Sequence, residues 1–247
     1  MFAKKTLIAA ATLLVAVAAQ AQSSVTAYGN LDIAVGSFDS AFGERTTRVE
    51  SGIEAGSFIG FKGQEDLGGG LKAIFKLESA LALDSGATAT SAMWTRTSEV
   101  GLAGGFGTVT VGNSLSLNYR ANATYNPFPV TGALNVSQNL FWDDASFVSN
   151  AVTYTSPELA GFTAAVQYGA LETKGTDDTY AAQLNYVAGP LSVGGTYTKA
   201  DQSKVWQLGV SYDFGILKAF GQYGVYDYVN SALSYKFYQV GVSVPVA

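Results

Sequence analysis

The chain contains no cysteine and no histidine in 247 residues. Without thiols, the fold has to close without covalent staples, although exported proteins can use them. Zinc sites of the usual Cys/His type are excluded, and so is any catalytic triad that needs an imidazole base. Charge is also scarce, at 13% of residues, and the formal net charge of −5 is scattered along the chain. A nucleic-acid surface needs a basic patch or stripe, and none occurs. Proline is limited to 5 residues. Beyond the N-terminus no apolar run reaches the roughly 20 residues that a membrane-spanning helix requires. Any crossing of a membrane has to be made by strands.

The N-terminus has the layout of an export signal. Lys4 and Lys5 form a positive start, Leu7–Ala19 is uncharged and apolar, and Ala19-Gln20-Ala21 is an A-x-A cleavage site. Residues 1–21 are therefore expected to be a cleaved signal peptide, with residues 22–247 forming one domain.

The mature region is rich in glycine (28), tyrosine (14) and phenylalanine (14). Its repeated unit is about ten residues of alternating character followed by a turn. In Phe58–Leu83, Ala73, Phe75 and Leu77 share one parity, while Lys72, Lys76 and Glu78 share the other. Period-two alternation puts the two sets on opposite faces of a strand. The pattern returns in Val25–Phe38, Met93–Gly104, Thr108–Ser116 and Phe162–Gly169. It is cleanest in Trp206–Phe214, where Trp206, Leu208, Val210 and Tyr212 oppose Gln207, Gly209 and Ser211. About twelve such strands, with short turns alternating with longer connections, predict an all-β antiparallel transmembrane barrel, greasy outside and wet inside. A secreted β-sandwich also alternates, but its core face is larger and more branched than these Ala-, Gly- and Tyr-rich faces. Asp39–Gly52 reads as a charged loop. From Leu117 to Phe147 the alternation lapses around Pro127 and Pro129, and this long connection is expected to fold into the lumen.

Other patterns carry little chemistry. Glu65-Asp66, Asp143-Asp144 and Asp177-Asp178 are adjacent carboxylates in turns or loops and read as solvated charge. The glycines from Gly101 to Gly107 precede a strand, so they offer no helix N-terminus to a phosphate. Tyr168, Tyr186, Tyr197 and Tyr212 share the lipid-facing parity and read as interface anchors. Tyr119 and Tyr125 in the long connection are better placed for solute contact. No catalytic, cofactor or metal site is expected, and the chain is not expected to be an enzyme.

Five segments bear a specific resemblance: SSVTAYGNLD (Ser23–Asp32), GFKGQEDLGGGLKAIFKLES (Gly60–Ser79), VGLAGGFGTVTVG (Val100–Gly112), NAVTYTSPELAGFTAAVQYG (Asn150–Gly169) and VSYDFG (Val210–Gly215). Together they resemble the general porins of Gram-negative bacteria, of the β-proteobacterial type. The resemblance implies an outer-membrane homotrimer of water-filled barrels of about 16 strands, passing ions and small hydrophilic solutes by passive diffusion. A solute-specific channel, or a structural or adhesive barrel with a blocked lumen, are the alternative functions. The resemblance also implies arginines where this chain has Phe58 and Asn113, and it keeps arginine at positions matching Arg48 and Arg96. Lys62 has lumen parity, and Arg120 lies in the long connection. With two rungs of a basic ladder replaced, weak selectivity is expected in place of a strong anion preference. The chain stops at Val244-Pro245-Val246-Ala247 after only about twelve strands. An incomplete C-terminus is expected on that mismatch, a smaller closed barrel being the alternative.

Overall fold

The computed structural model describes residues 23–39, 44–128, 146–172, 177–229 and 231–245. The export-signal residues, Pro129, Asp143 and Asp144 lie outside the described residues.

The chain is almost entirely antiparallel sheet. The strands are β1 (Ser24–Asn30), β2 (Ile33–Asp39), β3 (Arg45–Ser51), β4 (Phe58–Gly68), β5 (Leu71–Ala82), β6 (Ala87–Thr88), β7 (Ser98–Gly104) and β8 (Gly107–Leu115). A helix, α1 (Leu117–Thr124), follows. Seven more strands complete the series: β9 (Phe147–Thr155), β10 (Phe162–Gly169), β11 (Thr179–Ala188), β12 (Leu191–Lys199), β13 (Ser203–Asp213), β14 (Lys218–Tyr228) and β15 (Ser234–Ser243). The main sheet runs β1-β4-β5-β7-β8-β9-β10-β11-β12-β13-β14-β15, twelve strands in series, while β2 and β3 pair separately. This agrees with the strand number read from alternation. Among the described residues no pairing joins β1 to β15.

The β2–β3 pair prolongs the first hairpin. Asn30 pairs with Phe58 where β1–β4 ends, and Ile33 pairs with Ser51 where β2–β3 begins. Only Leu31 and Asp32 thus face the longer excursion Gly52–Ser57. Asp32 holds it together: its Oδ2 accepts the backbone N–H groups of Glu54 and Ala55, both at 2.6 Å. Its carbonyl accepts from Gly52 N and Ser57 Oγ, each at 2.9 Å. The expected single strand Val25–Phe38 is therefore broken at Asp32, whose carboxylate serves backbone groups that the ladder cannot reach.

Two further expectations are corrected. Most of the charged loop Asp39–Gly52 is strand β3, because Arg45, Thr47 and Val49 still satisfy ladder pairing with β2. Strand β7 starts at Ser98 and not at Met93; the residues before it form bends after the short β5–β6 pairing.

The two faces separate as the alternation requires. On β15, Tyr238 and Val240 are 76% and 83% exposed on one face while Phe237 is buried on the other. On β13, Leu208, Val210 and Tyr212 point outward, and Gln207 and Ser211 are buried. A contiguous apolar face of this extent belongs against lipid, and every strand inside the sheet satisfies its polar backbone through neighbours, which hydrocarbon demands. Aromatic pairs gather near both strand ends. Phe162–Tyr186 and Tyr212–Phe214 lie at the short-turn end, and Tyr168–Tyr180 and Trp206–Tyr223 toward the other. These are the two interfacial girdles of a transmembrane barrel. The short turns are tight: Gly68, Gly69 and Gly70 all have positive φ, which residues with a Cβ adopt only at a cost.

Candidate functional site

The buried side of the sheet is polar, and α1 lies on it. Residues 117–124 were expected as loop, since they show no apolar stripe of helical period. Local chemistry makes the helix. Ser116 is its N-cap, accepting from Tyr119 N at 3.1 Å, a bond that satisfies one of the free N–H groups of a first turn.

The wall then receives the helix. Leu117 packs in a buried cluster with Ala165 of β10 and Ala181 of β11. Gln207 Nε2 donates to Asn118 O at 3.2 Å, and Thr196 Oγ1 donates to Asn118 Oδ1 at 3.3 Å. Gln222 Nε2 donates to Asn122 O at 3.3 Å, a carbonyl in the last turn of the helix. Past the helix, Gln239 Nε2 donates to Asn126 Oδ1 at 3.1 Å.

Glycines give the close approach. The Tyr125 ring, 1% exposed, fills a trough over Gly209 and Gly194, and its hydroxyl lies 3.3 Å from Ser192 Oγ. Burial raises the pKa of this phenol. Tyr125 is thus packed against the wall and not presented to solutes, a correction to its expected role. Pro127 sits on Gly241, where a Cβ would lie 2.6 Å from its Cγ. The small residues of the inner face, read from sequence as barrel composition, are the bed of the inward-folded segment.

A second group occupies β1, β4, β5 and the start of β7. Glu78 is buried and accepts from Tyr28 Oη at 2.6 Å. Lys76 Nζ lies 3.0 Å from its Oε1, and Arg96 Nε lies 3.6 Å from its Oε2. That second distance is too long for a hydrogen bond. The Arg96 guanidinium carbon lies over two rings, 4.5 Å from the Phe58 ring centre and 5.7 Å from that of Phe147. Phe147 in turn stacks on Tyr119 of α1, at 6.4 Å and 28°. At the other end Tyr28 meets Phe58 edge-on at 5.8 Å, and Lys62 Nζ lies 5.0 Å over Tyr28. Nearby, Ser114 donates to Glu99. The Glu99 charge supports protonation of Arg120, whose pKa burial lowers.

Four expected site residues, Phe58, Lys62, Arg96 and Tyr119, are therefore brought together in one column. Arg120 lies on the same helix. Asn113 is turned to the loop backbone: its Nδ2 donates to Arg96 O at 2.7 Å, and its Oδ1 accepts from Ser149 Oγ at 3.1 Å. Arg48 stands apart on β3, paired with Glu50 and bonded to Thr46 Oγ1. Tyr28 and Phe147 were missed. Tyr28 shares the inward parity of Asn30, which could have marked it, whereas nothing local marks Phe147.

Lipid-facing and polar faces on one antiparallel sheet, with a segment after the fifth strand of the series folded onto the polar side, define an outer-membrane β-barrel channel protein. The chain belongs to the Gram-negative porin family, whose profile matches residues 6–247. It is 35% identical over 272 residues to outer membrane porin protein 32 of Delftia acidovorans, covering 98% of this chain and 76% of that protein. It is 38% identical over 205 residues to the major outer membrane protein P.IB of Neisseria gonorrhoeae, covering 74% of this chain and 53% of that one. The chain thus spans about half the length of this Neisseria relative. Among solved structures, an anion-selective porin from Comamonas acidovorans superposes with a TM-score of 0.81 at 27% identity, over 91% of this chain and 75% of that one. OmpF of Salmonella typhi, solved with daunomycin, is alike in fold, with a TM-score of 0.68 at 16% identity over 87% of this chain and 73% of that one. Its place is the outer membrane.

Proposed function

We propose that the protein forms a water-filled channel through which ions and small hydrophilic solutes diffuse passively, with α1 and the residues that follow it narrowing the lumen. The observation that carries this reading is the docking of α1 on the inner wall by Gln207, Thr196 and Gln222, and of Asn126 beyond it by Gln239. A segment held on the polar face of a barrel reduces its bore without any covalent chemistry, so transport and not catalysis is the activity. Unpaired edges are not tolerated in hydrocarbon, so the conducting form is a closed cylinder. Residues 1–21 direct export and are removed, and the working unit is a homotrimer, in keeping with the family.

Selectivity follows from the wall charges. Arg96 and Lys76 share Glu78, and Arg48 is paired with Glu50. Of the remaining candidate cations, Lys62, over Tyr28, has the freest field, whereas Arg120 is buried with Glu99 nearby. The chain should therefore prefer anions only weakly, unlike the solved relative whose description is anion-selective. Planar-bilayer recording in a salt gradient tests both points. Absence of conductance would remove the channel reading. A reversal potential close to that of an ideally anion-selective pore would remove the weak-selectivity reading, and saturable block by a single sugar or organic acid would replace it with a specific channel.

A further inference from the structure

The Arg96 column has a geometry that a simple lumen charge does not need. Its guanidinium carbon lies over the rings of both Phe58 and Phe147, and its side chain is only 16% exposed. Its Nε also lies 3.6 Å from Glu78 Oε2, beyond hydrogen-bonding distance, and among the described residues both atoms are buried without a hydrogen-bond partner. An arginine placed to act on solutes through its field would present its planar donors to water. This one lies over the rings of Phe58 and Phe147, an arrangement that desolvation strengthens.

We infer that Arg96 is a positioning residue, the cationic link in a stack that ties the first turn of α1 to the β1–β4 wall, with Phe58 as the anchor. The chain of contacts is continuous from Lys62 through Tyr28, Phe58, Arg96 and Phe147 to Tyr119. Hydrogen bonds from β12 and β13 hold the same turn from the other side, at Asn118. The narrowing segment is thereby fixed between two wall regions, and Phe58 gives a ring face where an arginine would give only repulsion toward Arg96. The inference rests on the channel reading for its consequence, which is that the stack keeps the bore from fluctuating. Its geometry stands without that reading.

The test uses charge-preserving variants in the full chain. Arg96→Lys keeps the cation and removes the planar group; Phe58→Leu keeps apolar bulk and removes the ring; Phe58→Tyr keeps the ring. Because the chain has no cysteine, Thr196→Cys, beneath Asn118, gives a single thiol that a water-soluble reagent reaches only when α1 lifts. Arg96→Lys and Phe58→Leu should each raise the labelling rate and the rate of voltage-driven closure about tenfold, as the loss of one desolvated cation–π contact implies. Phe58→Tyr should match the parent, and all three should keep the parent reversal potential. Heat-shifted gel migration verifies that each barrel is folded. Parent-like labelling and closure in both Arg96→Lys and Phe58→Leu would overturn the inference. So would a reversal potential that moves in Phe58→Leu with labelling unchanged. If the parent itself does not conduct, the channel reading fails, while labelling in detergent still judges the stack.

Discussion

Gly209 faces the lumen side of β13, where an extra methyl group in an open pore would meet only water. Here it meets Tyr125. A Cβ on Gly209 would overlap the ring atoms Cγ and Cδ2 and lie 2.8 Å from the Tyr125 Cβ. The ring has no second place in the trough, because Gly194 lies along it with a Cβ position 2.5 Å from the Tyr125 hydroxyl. Forcing a methyl into a filled site costs about 1–3 kcal/mol. The barrel wall is held by ladder bonds on both sides of β13, so the cost falls on the docked segment, which can move. At 1.4 kcal/mol per tenfold, the ratio of docked to undocked states should drop about 5- to 150-fold in Gly209→Ala. Single-channel recording should then show a second, wider conductance level and noisier open current, with heat-shifted gel mobility unchanged. Gly221→Ala is the control: on the outer face of β14, its methyl would meet only Val210 Cγ1 at 3.4 Å, ordinary contact. A single parent-like level in Gly209→Ala would refute the trough as the seat of the narrowing segment. Equal effects in both variants would refute the assignment of the two faces.

Three other outcomes follow from local geometry. Asp32→Ala should lower the thermal midpoint of the folded barrel, since two backbone N–H groups of Gly52–Ser57 lose their acceptor, at about 1 kcal/mol each where water can take its place; Asp32→Asn, which keeps an acceptor, should cost less. Ala160→Asn should raise that midpoint: Ala160 and Gly161 are the two central residues of a hairpin turn, both with positive φ, which Asn-Gly adopts at about 1 kcal/mol less strain. In the turn between β12 and β13, Asp201 has a pKa below the ordinary carboxylate value because Asp177 N and Gln202 donate to it. A depressed folded pKa gives a contribution present above the unfolded value and lost as pH falls through the folded one. Proteolysis at this turn should accordingly increase on acidification, and Asp201→Asn should abolish that pH dependence.

The strands were legible because one selection acts on each parity: lipid on one side and water or α1 on the other. Val193 and Tyr197 against Thr196 and Thr198 needed no tertiary information. Errors arose where backbone groups are served by something other than the ladder. At Asp32 a single carboxylate replaces strand pairing across Gly52–Ser57, and a charged residue in an alternating run carries no local sign of that duty. Helix α1 has a cap but no apolar stripe, because the surface that receives it is itself polar; its periodicity is written in Gln207, Gln222, Ala165 and Ala181 on other strands.

The pore charges divide along the same line. Parity could assign Lys62 and Glu78 to the inner wall, and the resemblance could flag Phe58 as a departure. Neither could tell that Arg96 lies over both Phe58 and Phe147, since the two phenylalanines are brought together only by the pairing of the intervening strands β5, β7 and β8. A cation counted from sequence is a field source only if its surroundings leave it one. In this wall Arg96, where the resemblance keeps an arginine, lies over two rings and beside Glu78, so its charge is engaged by its neighbours before any solute meets it.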